Sequence, residues 1–257
     1  MSTLTVATLN LRNRQDRWRE RRHLVVAQIL DTAPDLLSLQ EVSRPMGQAR
    51  WLRSQINSRM TGSAREPYHL LQERKHHFIK GFYEGIAILS KFPVISHDAL
   101  SLGYEGRVAL RANVALPSGQ MMDFVNTHLH HVAYDREARQ EQVMRLVGWL
   151  NSSGRAPLQV IAGDFNETPE GPAIQQMKQV YRSAFFQVRG YEPLATFPTA
   201  LVDQADGWTG CLDYIFVSSN IKVTAAHFFC DKPAADDNTL YPSDHVGLVA
   251  TLETEAT

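Results

Sequence analysis

The apolar run in QVIAGDFNETPEG (residues 159–171) ends in a carboxylate and a carboxamide two residues apart, Asp164 and Asn166. Asp, Asn, Pro and Gly are common turn formers, so the stretch reads first as a turn closing a buried strand. The same two side chains can also polarise a water and donate to phosphate oxygens. Six further polar residues interrupt or follow apolar runs in the same way: Asn10 in ATLNL, Glu41 in SLQEV, His128 in VNTHL, Asp213 in CLDYIF, and Asp244 with His245 in PSDH. A charge at such a position is costly when it is buried without a partner. One alone is often a solvated strand end. Eight, all Asn, Asp, Glu or His, point to a common site if their strands end at one edge of a sandwich.

The chemistry of that set is readable. Oxygen ligands without thiols suit a hard cation such as Mg²⁺, with Mn²⁺ as a substitute. Mg²⁺ keeps several waters and takes one or two carboxylates, so Glu41 suffices as its anchor. A carboxylate beside a histidine fixes the imidazole tautomer. Asp164 can polarise the attacking water, and Asn166 and His128 can donate to charge developing on phosphate oxygens. Together these are the parts of metal-assisted phosphate-ester hydrolysis.

Strands and helices must position these residues. LTVATLNL (4–11) and DLLSLQEV (35–42) read as strands, with a helix over 18–33 between them that Pro34 stops. QARWLRSQINSRM (48–60) reads as an amphipathic helix, and YHLLQERK and YEGIAILSKFPV as strands. ALRANVAL and MMDFVNTHL form a hairpin around PSGQ (117–120). The clearest helix spans 135–153, where Ala138, Val143, Leu146, Val147 and Leu150 fall on one stripe. LQVIAGDFN follows as a buried strand and GPAIQQMKQVY as a short helix; LDYIFVSS, KVTAAHFF and VGLVATLE are strands. High strand content with few long helices predicts an α+β fold, a four-layer α/β/β/α sandwich of two mixed β-sheets flanked by helices. No Pro/Gly/Ser-rich linker divides the 257 residues, which read as one domain over 1–257.

The motifs LQEV, NTHL, GDFNETP, LDYIF and SDH, in this order, resemble the endonuclease/exonuclease/phosphatase superfamily, and the likeness runs from TLNL near the start to SDHVGL near the end. What the resemblance implies can be carried over position by position. Asn10 and Glu41 look like the metal-site residues, with Asp244 on the metal or in its water shell. Asp164 and Asn166 look like the pair that places the nucleophilic water and the phosphate, and His245 like the catalytic histidine, with Asp213 as its carboxylate partner. His128 resembles a second histidine that binds the scissile phosphate, and Glu84 in FYEGIAIL a carboxylate facing it. Arg107 or Arg111 in GRVALRANV would supply a phosphate-binding cation.

Composition narrows the partners. The formal net charge of −1 gives no whole-chain footprint for nucleic acid. No apolar run reaches the length of a membrane span, and the N-terminus lacks the basic head and apolar stretch of a signal peptide, which makes the cytoplasm the expected location. Cys211 and Cys230 have no ligand spacing and read as core residues. His76, His77, His130 and His131 lack a thiolate or a fixed helical spacing, so they read as surface or substrate-contact groups before zinc ligands. The favoured function is a phosphodiesterase or phosphatase acting on a small or lipid-derived substrate. The alternative is a nuclease, for which RNRQDRWRERR (12–22) offers six arginines; the commoner fate of such a run is a solvated face with Asp16 and Glu20 as partners. A non-catalytic binding module is the third reading, disfavoured because every main position is filled.

Overall fold

The computed structural model describes residues 2–60, 66–152, 155–202 and 209–254. Its elements in chain order are β1 (Ser2–Asn10), α1 (Trp18–Thr32), β2 (Leu36–Ser43), α2 (Gln48–Met60), β3 (His69–Arg74), α3 (Lys80–Tyr83), β4 (Glu84–Ser90), β5 (Val94–Gly103), β6 (Arg107–Ala115), β7 (Met121–His128), α4 (Arg136–Leu150), β8 (Leu158–Asp164), α5 (Pro172–Lys178), β9 (Arg182–Ser183), α6 (Ala184–Arg189), β10 (Asp213–Val217), β11 (Lys222–Phe229) and β12 (Gly247–Thr254). They form two six-stranded sheets, ordered β11-β12-β1-β2-β4-β3 and β5-β6-β7-β8-β10-β9.

Side-chain alternation along the strands makes the layers. Val6, Leu36, Ile88, Leu110, Phe124, Val160 and Leu248 meet between the sheets. Leu9, Leu37 and Leu39 point the other way, under Val25, Ile29, Leu52 and Ile56 of α1 and α2. On the far side Val125 and Ile161 lie under Val143, Leu146, Ile174 and Met177 of α4 and α5. The result is the expected α/β/β/α sandwich. Both cysteines are buried. No described helix is long and apolar enough to cross a membrane.

Topology gathers the polar positions. β1 runs parallel to β2 and β7 parallel to β8, so Asn10, Glu41, His128 and Asp164 lie at or near C-terminal strand ends. Their antiparallel neighbours β4, β6, β10 and β12 begin where those strands finish. That places Glu84, Arg107, Asp213 and the Asp244–His245 pair at the same edge. β1 and β8 face one another across the sandwich, which joins the two edges.

One irregularity aims a key side chain. The β2–β4 pairing shifts register between Leu39 and Val42, and Glu41 adopts φ 49°. This is a β-bulge, a device that redirects side chains at sheet rims. Asn126 of the other sheet supports it, donating from Nδ2 to the carbonyls of Leu39 (2.9 Å) and Ala87 (2.8 Å) and accepting at Oδ1 from Gln40 Nε2 (2.7 Å). Gln40 also donates to Ser38 and Thr8, so a buried polar network underlies the bulge.

Four elements depart from the sequence expectation. The strand read across YEGIAILSKFPV stops at Ser90, and β5 starts at Val94 as a separate strand. β5 is an edge strand in which only Leu102 is buried and half the residues are exposed, so it lacks the apolar alternation that would announce it. α3, β9 and α6 are too short to carry a period. Ser153, the last residue of the helix expected over 135–153, lies outside the described residues.

Replacing Asn126 by Ala strands the Leu39 and Ala87 carbonyls and the Gln40 amide in a dry interior. We expect Asn126→Ala to lower the free energy of unfolding by about 2–4 kcal/mol in urea titrations, with the far-UV spectrum retained.

Candidate active site

Asp213 and Asp164 sit opposite one another in the β10–β8 register. Asp213 Oδ2 is 2.8 Å from His245 Nδ1, and His245 Nε2 is 3.9 Å from Asp164 Oδ2. The imidazole is therefore held edge-on between two carboxylates, with the Phe197 ring 4.8 Å away, centroid to centroid. Asn10 Nδ2 donates to Asp164 Oδ2 at 2.9 Å and lies 3.4 Å from Glu41 Oε1, which ties the two sheets together at the site.

The GDFN segment is both a turn and a site element. Asp164 Oδ1 accepts from the Asn166 backbone N–H (2.8 Å), an Asx-type turn with Asn166 at φ 49°. Phe165 is buried against Tyr214 and Phe216, so the residues on either side of it turn into the cleft. Gly163 is forced by its neighbour: a Cβ there would lie 2.0 Å from the Thr127 carbonyl oxygen.

These groups open into a cleft of about 600 Å³ lined by Glu41, Asp164, Asn166, Asp244 and His245. Cations line it too. Lys75 pairs with Glu84, and Arg107 Nη1 lies 4.0 Å from the same carboxylate while its Nη2 is 3.1 Å from His131 Nδ1. Arg12 Nε lies 2.8 Å from Asp16 and 3.2 Å from Asp244. Burial, with Asp213 adding to it, raises the Asp164 carboxyl to about 7. Burial opposes charge on His245, but the Asp213 carboxylate, then Asp244 and Asp164, override it and raise the imidazole to about 10. Burial, then Glu84 and Asp244, pushes the Glu41 carboxyl up. The acidic side of the cleft thus carries crowded, partly desolvated oxygen donors, and Asp213 Oδ1 has no hydrogen-bond partner among the described residues. A divalent cation beside Glu41 and Asp244 would relieve the crowding, and the donors there, oxygen without thiolate, fit one. Among the described residues, the buried Asp164–Asp213–His245 group has ligand atoms close enough together to hold a metal.

A sequence profile of the Endonuclease/Exonuclease/phosphatase family matches residues 7–245. The chain belongs to this family. Comparison with curated proteins finds no match. Among solved structures, a family member from Bacteroides vulgatus superposes with a TM-score of 0.80 at 22% identity, covering 99% of this chain and 100% of that one. The human Nocturnin catalytic domain with a bound sulfate anion gives 0.76 at 20% identity, over 98% and 95% of the two chains. A Danio rerio TDP2 humanised by 14 mutations gives 0.78 at 17% identity, over 99% and 100%. At these identities the likeness is one of fold.

Measured against the family's motif positions, the structure brings Asn10, Glu41, Asp164, Asn166, Asp213, Asp244 and His245 together. His128 stands at the end of β7, behind the cleft lining. It is buried, does not line the cleft, and sits with Nε2 3.5 Å from Asp164 Oδ2. Burial, then Arg107 and Lys75, holds its imidazole well below the ordinary range, so it stays neutral. Glu84 faces Lys75 and Arg107 in the cleft wall. Arg107 lines the cleft; Arg111 does not. Four strand residues on, about 13 Å away, Arg111 pairs with Asp98 at 2.7 Å and stacks on Trp149 under α4. Lys75 and Arg12 are cleft cations that sequence reasoning passed over. Arg12 stood two residues after Asn10 but was hidden in an arginine run. Of the rest of that run, Arg17 pairs with Glu20 and Asp237, and Arg22 covers Trp51. His130, His131 and Glu105 also cluster closely enough for a metal, but the fixed charge of Arg107 beside His131 opposes one there.

Two buried arginines hold the loops that carry these groups. Arg21 of α1 donates to the carbonyls of Leu11, Arg12, Asn13, Gln15, Asp16 and Pro242, binding the Arg12 loop to the segment before Asp244. Arg139 of α4 donates to the carbonyls of His130, Val132 and Ala133 and lies 3.2 Å from Glu167 Oε2, next to the GDFN turn.

The ionisation pattern has a measurable sign. His245 is held above its unfolded value of 6.5, so its ion pair with Asp213 contributes stability that is complete below pH 6.5 and is lost as pH rises toward about 10. Asp164 runs the other way: raised from 3.8 to about 7, it withdraws stability as pH climbs through that interval. In EDTA, the fall of Tm between pH 6.5 and 10 should be clearly shallower in His245→Gln than in the parent protein. Parallel Tm–pH curves would refute the assignment.

Proposed function

We propose that the protein is a metal-dependent hydrolase that cleaves a phosphate ester by attack of an activated water, on a small or lipid-derived substrate. The observation that carries this reading is the cleft itself. Asp164 faces His245 in it, and Glu41 and Asp244 line it together with Lys75 and Arg107. Glu41, with Asn10 and Asp244, would hold Mg²⁺, for which Mn²⁺ can substitute. Bound there, the ion supplies neutralisation of charge at the phosphate and leaving oxygens.

The side chains do the rest. Asp164, near neutral in its titration, accepts the proton of the attacking water. His245 stays protonated, and Asp213 fixes Nδ1–H so that Nε2–H donates toward the phosphate. Asn166 is locked by its Asx turn and donates from a fixed position. Arg107 and Lys75 add positive charge where the phosphate would lie, and neutral His128 backs Asp164 from behind. The nuclease reading draws on the same cleft cations, but Lys75, Lys80 and Arg12 are each paired with a carboxylate, which favours a compact substrate over a long polyanion.

Glu41→Ala and His245→Ala should fold normally by circular dichroism and lose about 10²–10⁴-fold in turnover. The assay sets bis-p-nitrophenyl phosphate, p-nitrophenyl phosphate and plasmid DNA side by side with Mg²⁺ or Mn²⁺, with and without EDTA. Turnover of a small ester with intact DNA, abolished by EDTA, supports the proposal. DNA cleavage lost in His245→Ala would assign nucleic acid as the substrate instead. Full activity in either variant would overturn the residue assignments.

A further inference from the structure

The segment that brings Lys75 and Lys80 to the cleft also carries the most exposed apolar cluster in its neighbourhood. Phe78, Ile79, Phe82 and Tyr83 are 88, 61, 58 and 57% exposed. Residues four apart on a helical turn share a face, so the Phe78/Phe82 and Ile79/Tyr83 pairs form one patch. The two phenyl rings meet edge to face at 6.3 Å. Met46, 54% exposed, lies on the adjoining turn, whose Arg44 N–H donates to the Tyr83 carbonyl at 3.2 Å.

The patch is built into the fold. Gly81 N–H donates to the His77 carbonyl (2.9 Å), and the N–H groups of Ile79 and Lys80 donate to His77 Nδ1 (3.2 and 3.1 Å), capping the turn. His76 N–H donates to Gly106 O (2.8 Å), and a Cβ at Gly106 would lie 2.6 Å from the His76–His77 backbone, so the segment rests directly on the β5–β6 turn. The aromatic groups are thus held outward at a fixed place.

Their surroundings indicate what they meet. From Arg74 to Tyr83 the chain has three cations, two histidines and no acid; Lys75 and Lys80 are paired with Glu84 and Glu105 of neighbouring elements. A groove lined by Arg14, Pro45, Ile79, Lys80 and Tyr83 runs from the patch and shares Gln15, Lys75, Lys80 and Glu84 with the catalytic cleft. Across the cleft, Tyr134 stands 91% exposed. Apolar side chains that protrude beside the cleft suit a fluid surface into which they can insert, and the exposed Arg14 and Arg74 next to the paired lysines add attraction when that surface is anionic. We infer that the Phe78–Tyr83 turn docks the protein on an anionic lipid surface and delivers lipid phosphate esters to the cleft. The inference names the substrate class within the proposed activity and rests on that activity; the docking itself does not.

The test separates the two. The protein is co-sedimented in EDTA with phosphatidylcholine vesicles, with and without about a third phosphatidylglycerol. In parallel, metal-dependent turnover of soluble bis-p-nitrophenyl phosphate is measured. The parent protein should bind the anionic vesicles and bind the neutral ones more weakly. Phe78→Ser/Phe82→Ser should reduce binding at least about tenfold and leave soluble turnover unchanged, since neither side chain lines the cleft. Absence of vesicle binding by the parent protein, or undiminished binding by the double variant, overturns the docking and would return the patch to a protein partner. Vesicle binding without turnover of any phosphate ester would sustain the docking and sink the activity.

Discussion

Asn126 reaches across the sandwich from one sheet and donates to two carbonyls of the other, at the point where β2 and β4 fall out of register. The Glu41 side of the cleft depends on that contact. Without a bulge, side chains two apart would keep to one face, and Glu41 would not turn into the cleft. A bulge leaves backbone groups unpaired, and in a dry interior they must be met by something. A carboxamide with two donors and an acceptor is a small group that meets them and leaves the gap filled. The price is a polar network in the core, and it is tolerable because Thr8, Ser38, Gln40 and Asn126 satisfy one another.

The same logic recurs on each outer layer. Arg21 sits under the first sheet's helix and Arg139 under the second's, both wholly buried, each spreading one guanidinium over several carbonyls of an irregular loop. Loops rich in inward-pointing carbonyls are unstable unless donors reach them, and arginine brings five in a rigid fork. Arg21 does this without a carboxylate in contact; burial lowers it to about 10, which still leaves it charged at neutral pH. The side chains that line the cleft from these loops can be short because these long ones fix the backbone beneath them.

Much of the site was legible in the sequence because a polar residue at the end of an apolar run is conspicuous, and Asn10, Asp164, Asp213 and His245 all stand there. The strand pattern supplied the sandwich for the same reason. The failures share a cause as well. Arg107 and Arg111 lie four residues apart on the same face of one strand, and which of them reaches the cleft is decided by the position of the strand's end, which composition does not mark. The depth of His128 behind Asp164 is set by packing that the sequence does not mark. No glycine or proline announces the bulge at Glu41, since its driving force comes from Asn126, remote in sequence. Edge strand β5 buries only Leu102 of its ten residues and therefore carries no periodic apolar signal.

β12 is inserted between β1 and β11, so the strand built from residues 247–254 lies inside its sheet although it is laid down after all its neighbours. Asp244 and His245 immediately precede it. In a chain extended only through β11, the cleft would hold Glu41 and Asp164 but neither Asp244 nor His245, nor the interior strand that follows them. The strand made after its neighbours therefore completes the cleft as well as the sheet.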